Sequence, residues 1–318
     1  MYQPLWIATC LMAGFGSCRT WVVMGLCLLL TACAGEDLPN EYFAELQNHY
    51  GLEMMYQKVV ESVPDSWLAP PESFQATPLR REDLPGLRDA LAAALAMYPK
   101  QVIRDHLKTI WLAKTFHFHG HLYAATYTYY PEQSDLSWHR FTKAIYLSCD
   151  LAAENGDRQA FLMDSFHHEF SSLLMQMNPF PESVWRKANP KGFNYTYQAQ
   201  QNPGFEAMKD GIGSTEGSES LYAQGFLSDY AMTALEEDIN VFSGVSLAEP
   251  ERMLGLAKRH PAIARKLRIW LGYYASIAPD FLKMPLFQRY QQRGFKPEIS
   301  LRIPAKRAAT QAPTSGVQ

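Results

Sequence analysis

The chain has 318 residues, 47% apolar and 19% charged, with a net charge of −3. That is enough apolar material for a substantial core in one domain or two tightly joined ones. Mild acidity without a basic tract excludes nucleic acid as an expected partner.

The first segment has the composition of a leader. Arg19 supplies positive charge, and Trp21 to Leu30 is an apolar run too short for an ordinary membrane span. Leu30-Thr31-Ala32-Cys33 follows and resembles the bacterial lipobox, in which cleavage leaves the Cys as the lipidated N-terminus. Residues 1–32 are therefore expected to be a lipoprotein signal peptide, with Cys33 lipidated and 33–44 a tether. By resemblance to known sorting rules, Ala34 after the Cys implies export to the outer membrane. Of the five cysteines, Cys10, Cys18 and Cys27 would leave with the leader and Cys33 would carry lipid. Only Cys149 remains, in the apolar run Ala144 to Cys149, where it reads as a buried strand residue.

A globular domain is expected over 45–303. The spacing of Tyr42, Phe43, Leu46, Tyr50, Met54 and Val59 predicts a helix over 41–62, and Pro64, Pro70 and Pro71 mark a loop after it. An Ala- and Leu-rich helix is predicted over 81–97, stopped by Pro99. Thr109 to Phe118 and His121 to Tyr130 have strand composition and are predicted to form a hairpin meeting at Gly120, with a third strand over 143–149. His117, His119 and His121 alternate on that hairpin, so they are either a weak metal site interrupted by Gly120 or solvent-exposed turn histidines. A helix over 157–176 ends at Asn178-Pro179, and 179–225 reads as a long loop that could wall a cleft. Pro250 to Ala275 predicts one or two helices divided near Pro261, and the tail over 304–318 has a disordered composition. Strands before the 157–176 helix and helices around them imply an α+β fold.

The chemistry concentrates on that helix. His168-Glu169-Phe170-Ser171-Ser172 is one residue short of His-Glu-x-x-His, in which two His one turn apart hold zinc and the Glu acts as general base. Ser172 occupies the second ligand position. Two substitutes lie nearby: His167, which a regular helix turns about 100° away from His168, and Asp164, one turn before His168 on the same face. A site of Asp164, His168 and Glu237 would bind zinc more weakly and tolerate Mn or Ca. Downstream, Tyr230 is followed seven residues later by Glu237.

Taken together, these residues resemble the putative zinc-binding metallopeptidase lipoproteins of bacteria and the zincin toxins of the lethal-factor type. The resemblance covers about 100–245 and implies a zincin-like fold, with a small, mostly antiparallel sheet packed on the active-site helix and a helical C-terminal part. It implies His168 and Glu237 as zinc ligands, Glu169 as the base that activates a metal-bound water, and Tyr230 as the group that steadies the oxyanion. The expected activity is hydrolysis of a peptide or protein by an exported, membrane-anchored enzyme. The alternative is a degenerate zincin-fold lipoprotein acting as a binding or assembly factor in the envelope, for instance beside an outer-membrane import system; Ser172 favours it. A third reading is a structural envelope lipoprotein.

Overall fold

The computed structural model describes residues 42–84, 86–129, 143–150, 157–200, 202–213 and 216–298. The leader with Cys33, and the tail from 304, lie outside these residues. The packed chain begins earlier than 45: Phe43 is buried, and the Tyr42 hydroxyl donates to the Leu84 carbonyl at 3.0 Å.

The predicted 41–62 helix is three elements, namely α1 (Ala44–Tyr50), β1 (Glu53–Met55) and the single turn α2 (Val59–Ser62). Gly51 ends α1 at φ +70°, its N–H bonding the Gln47 carbonyl. A left-handed cap of this kind suits a residue without a side chain. There follow α3 (Asp65–Leu68), β2 (Gln75–Thr77), α4 (Leu87–Leu95) and α5 (Lys100–His106). The helix expected from residue 81 starts only at Leu87, because Gly86 sits at φ +83° just before it.

The two strand-like runs do not form one hairpin. Each divides, giving β3 (Thr109–Ala113) with β4 (Thr115–Phe118), and β5 (His121–Tyr123) with β6 (Ala125–Thr128). β4 and β5 pair antiparallel across His119 and Gly120, whose φ values of 52° and 76° are those of a tight two-residue turn. They join β2 in a three-stranded antiparallel sheet. β3 and β6 belong to a second sheet with β7 (Ala144–Ser148), in the order β1-β3-β7-β6. Here β1, β3 and β7 run parallel and only β6 is antiparallel. The expectation of a mostly antiparallel sheet against the site helix is thus corrected. β3 and β7 are buried along their whole length, the pattern of parallel strands covered on both faces.

Helices make up the rest: α6 (Arg158–Met177), α7 (Glu182–Arg186), α8 (Pro203–Lys209), α9 (Glu219–Gln224), α10 (Leu235–Ala248), α11 (Pro250–Arg259), α12 (Pro261–Ile277) and α13 (Pro285–Gln292). The α+β class holds. The 179–225 segment, expected as loop, carries three of these short helices. The predicted division of 250–275 falls at His260-Pro261, between α11 and α12. Among the described residues no helix is long and apolar enough to cross a membrane.

α6 is the central element. Asp157 caps it by accepting from the Gln159 and Ala160 N–H groups, a contact whose loss costs about 1 kcal/mol. Its Leu162, Phe166, Phe170, Leu173 and Leu174 are buried, and it packs on β6, β7, α4 and α10. At its far end Asn178 donates its side-chain amide to the Leu174 carbonyl at 2.9 Å and to His106 Nε2 at 3.0 Å. His106 Nδ1 lies 2.9 Å from the Val102 carbonyl, which can only accept. The ring therefore donates from Nδ1, accepts at Nε2 and is neutral.

Burial lowers the His106 pKa below its ordinary 6.5, outweighing the Val102 bond. Below pH 6.5 the unfolded chain then takes up a proton that the folded chain refuses, so stability falls as pH falls. The slope from this group is at most about 1.4 kcal/mol per pH unit. Denaturant titrations at pH 7.5 and 5.5 should show this loss in the wild type and a smaller one in His106→Gln.

Candidate functional site

A cleft of about 810 Å³ lies between β6, α6, residues 202–213 with Glu216, and the start of α10. α6 brings Asp164, His168, Glu169 and Ser172 to it, and α10 brings Glu236, Glu237 and Asn240. The two helices approach closely: Ser171 and Ser243 hydroxyls meet at 3.0 Å. A Cβ on Gly244 would run into the Asp164 carboxylate.

The direction of the α10 acids is set from behind. Asp238 is fully buried and its Oδ2 accepts from Lys266 Nζ (2.7 Å), Trp185 Nε1 (2.8 Å) and the Tyr195 hydroxyl (2.7 Å). With Asp238 held against α12 and the 179–225 segment, the two preceding residues point into the cleft, successive side chains being about 100° apart.

Glu237 Oε2 lies 3.1 Å from His168 Nε2. The Tyr230 hydroxyl also bonds Glu237, and its ring stacks beside that of His168 with centroids 6.2 Å apart. Burial pulls the His168 pKa down, but the Glu237 bond and the charges of Glu169, Glu237 and Asp164 push it up to about 9. Burial raises Glu169 to about 8 against the opposing His168 charge, with Glu237 and Glu236 adding to the rise. Burial likewise holds the Tyr230 phenol well above its usual range. His168, Glu169, Tyr230 and Glu237 are thus gathered as the sequence predicts.

The missing ligand is not replaced. Ser172 Oγ accepts from Asn240 Nδ2 at 2.8 Å and donates to Glu236, which also accepts from the Tyr127 hydroxyl at 2.9 Å. His167 points into the core: it is fully buried, with Nδ1 2.9 Å from the Tyr98 hydroxyl, and burial depresses its pKa to about 3. It is no substitute ligand, for the helical reason given above. Asp164 borders the cleft and its charge acts on His168, while burial raises its pKa to about 6. Two zinc ligands about 2.0–2.1 Å from a tetrahedral ion lie roughly 3.3 Å apart, so the 3.1 Å between His168 and Glu237 suits a pair of donors. Among the described residues, however, no three His, Cys, Asp or Glu side chains are gathered to hold a metal ion. The donor set does not fit a three-ligand zinc centre.

The hairpin histidines do not form a metal site either. His119 stacks on Phe205 with centroids 4.0 Å apart, His121 meets the same ring edge-on at 5.9 Å, and His117 is exposed. Cys149 is buried and free, its thiol pushed up to about 12 by burial, which rules out a nucleophile.

Sequence reasoning missed Glu236, Asn240, Tyr123, Tyr127 and Gly204. A Cβ on Gly204 would fall 2.7 Å from the Tyr230 hydroxyl and 2.9 Å from Glu237 Oε1, so glycine is what lets the 202–208 segment lie against the site. No local pattern separates these residues from their neighbours.

Residues 140–255 match the family model described as putative zinc-binding metallo-peptidase. Over that stretch, less than half of the chain, the sequence is similar to this family. The matched residues include α6 and α10, and hence both halves of the site. A crystal structure of a putative zinc-binding metallo-peptidase from Bacteroides caccae is similar over 80% of this chain and 89% of that one, at 16% identity and a TM-score of 0.43. No curated protein matches the chain.

Lys266→Met should leave the Asp238 charge buried without a countercharge and destabilise the protein by about 3–5 kcal/mol. Asp238→Asn combined with Lys266→Met should recover much of that loss in thermal unfolding.

Proposed function

We propose that the cleft receives an extended peptide or protein chain, and that this protein, a relative of the zinc metallopeptidases without their full ligand set, uses the site for recognition. The observation that carries the reading is Ser172, tied to Asn240 and Glu236 in the place where a catalytic zinc would need its third ligand. β6 is the edge strand of its sheet, and Ala125, Thr126 and Tyr127 line the cleft. A peptide could add to that edge through main-chain hydrogen bonds, its side chains facing residues 202–213. A lipid on Cys33 would hold the domain at the outer membrane, where capture or assembly beside an import system is a suitable role.

Hydrolysis is the second reading, and one observation favours it: Glu169 and Tyr230 remain on the cleft beside His168 and Glu237. It predicts that Glu169→Gln abolishes peptide cleavage with the fold intact; equal cleavage by this variant would remove Glu169 from any catalytic role.

Metal content of untagged protein separates the two readings. The wild type should contain no stoichiometric zinc after incubation with excess metal, whereas Ser172→His should acquire it. Near-stoichiometric zinc in the wild type, lost in His168→Ala, would overturn the recognition reading and favour the hydrolytic one.

A further inference from the structure

Tyr123 ends β5, just before Ala124, where the chain passes from the antiparallel sheet to the sheet that borders the cleft. Its ring is held in place from two sides: it stacks on Phe116 with centroids 6.3 Å apart and meets Phe118 edge-on at 5.7 Å. Its carbonyl accepts from Ser148 Oγ at 2.6 Å. The residue lines the same cleft as His168, Glu169, Glu237 and Tyr230.

Its hydroxyl oxygen is buried and has no hydrogen-bond partner. Tyr127, four residues on, is the contrast: its hydroxyl donates to Glu236 at 2.9 Å and accepts from Gln176 at 3.1 Å. Buried polar groups are nearly always paired, and an orphan calls for an explanation. The charges of Glu237 and Glu169 act on the phenol, which places it at the acidic centre of the cleft. What the centre lacks at Tyr123 is an acceptor, and a peptide laid along the β6 edge carries one in every carbonyl.

We infer that Tyr123 is a substrate-binding residue whose O–H donates to a main-chain carbonyl oxygen of a peptide entering the cleft beside Tyr230. The inference rests on the peptide-recognition reading above. It requires that the hydroxyl matter to binding and not to the fold, the reverse of Tyr127.

The test compares the full chain in detergent with its Tyr123→Phe and Tyr127→Phe variants. Thermal unfolding is measured for each, together with anisotropy of fluorescein-labelled unfolded casein as the peptide probe. Tyr123→Phe should keep the wild-type Tm or exceed it, while binding casein about three- to tenfold more weakly, the loss of one net hydrogen bond. Tyr127→Phe should lower the Tm. A Tm drop in Tyr123→Phe as large as in Tyr127→Phe would assign the hydroxyl a structural partner and overturn the inference. Equal casein affinity in Tyr123→Phe and wild type would overturn it while leaving peptide recognition standing. No casein binding by the wild type would overturn the recognition reading, and this inference with it.

Discussion

The buried contact between Asp238 and Lys266 governs the direction in which α10 faces. Its 2.7 Å pair is sealed from water, and Trp185 and Tyr195 occupy the same carboxylate oxygen. Burying such a pair gains little over apolar packing, yet removing one partner is expensive. Its consequence here is orientation. Three consecutive acids stand on one helical turn, and with the third anchored inward the first two face the cleft. The Lys266 ammonium also lies 4.1 Å from the centre of the Phe226 ring, which ties the entry to the Tyr230 turn into the same anchor.

The cleft that results holds several acids around one imidazole. Arg252, paired with Glu249 at 2.8 Å, offsets part of the Asp164 charge, and protons settle the rest. Burial raises Glu169 and so favours its protonated form, while the Glu237 bond and the neighbouring carboxylates raise His168 and favour its charged form. Glu236 is raised too, by burial and by Glu237, but the Ser172 and Tyr127 hydrogen bonds pull against that rise. Ser172 therefore does more than omit a ligand. Its hydroxyl accepts from the Asn240 side-chain N–H and donates to Glu236, building a polar network where an imidazole would otherwise stand; within it Asn240 Oδ1 has no partner.

How far the sequence could be read follows from the range of each interaction. The α6 helix was legible because its apolar spacing, its Asp157 cap and its Asn178-Pro179 end are local signals. The site residues His168, Glu169, Tyr230 and Glu237 were legible because their order resembles a family pattern. Strands β3 to β7 were legible as strands, but not their allegiance: the splits at Lys114 and Ala124 send the halves of each apolar run into different sheets, and nothing in composition marks the breaks. The helix expected over 41–62 failed at Gly51, where a single left-handed residue outweighed an apolar spacing that β1 also satisfies through burial of Met54.

The sequence by itself determined the α+β class and the central helix, since these depend on neighbours in the chain, and it offered His168, Glu169, Tyr230 and Glu237 as candidates by their resemblance to a family pattern. Tertiary structure alone decided that His167 faces the core, that Ser172 is engaged by Asn240 and Glu236, and that Tyr123 reaches the cleft unpartnered. Those outcomes depend on contacts between residues 64 and 68 positions apart for Ser172 and 69 for His167. Such pairings become visible only once helices and sheets have packed and fixed which way each side chain can turn.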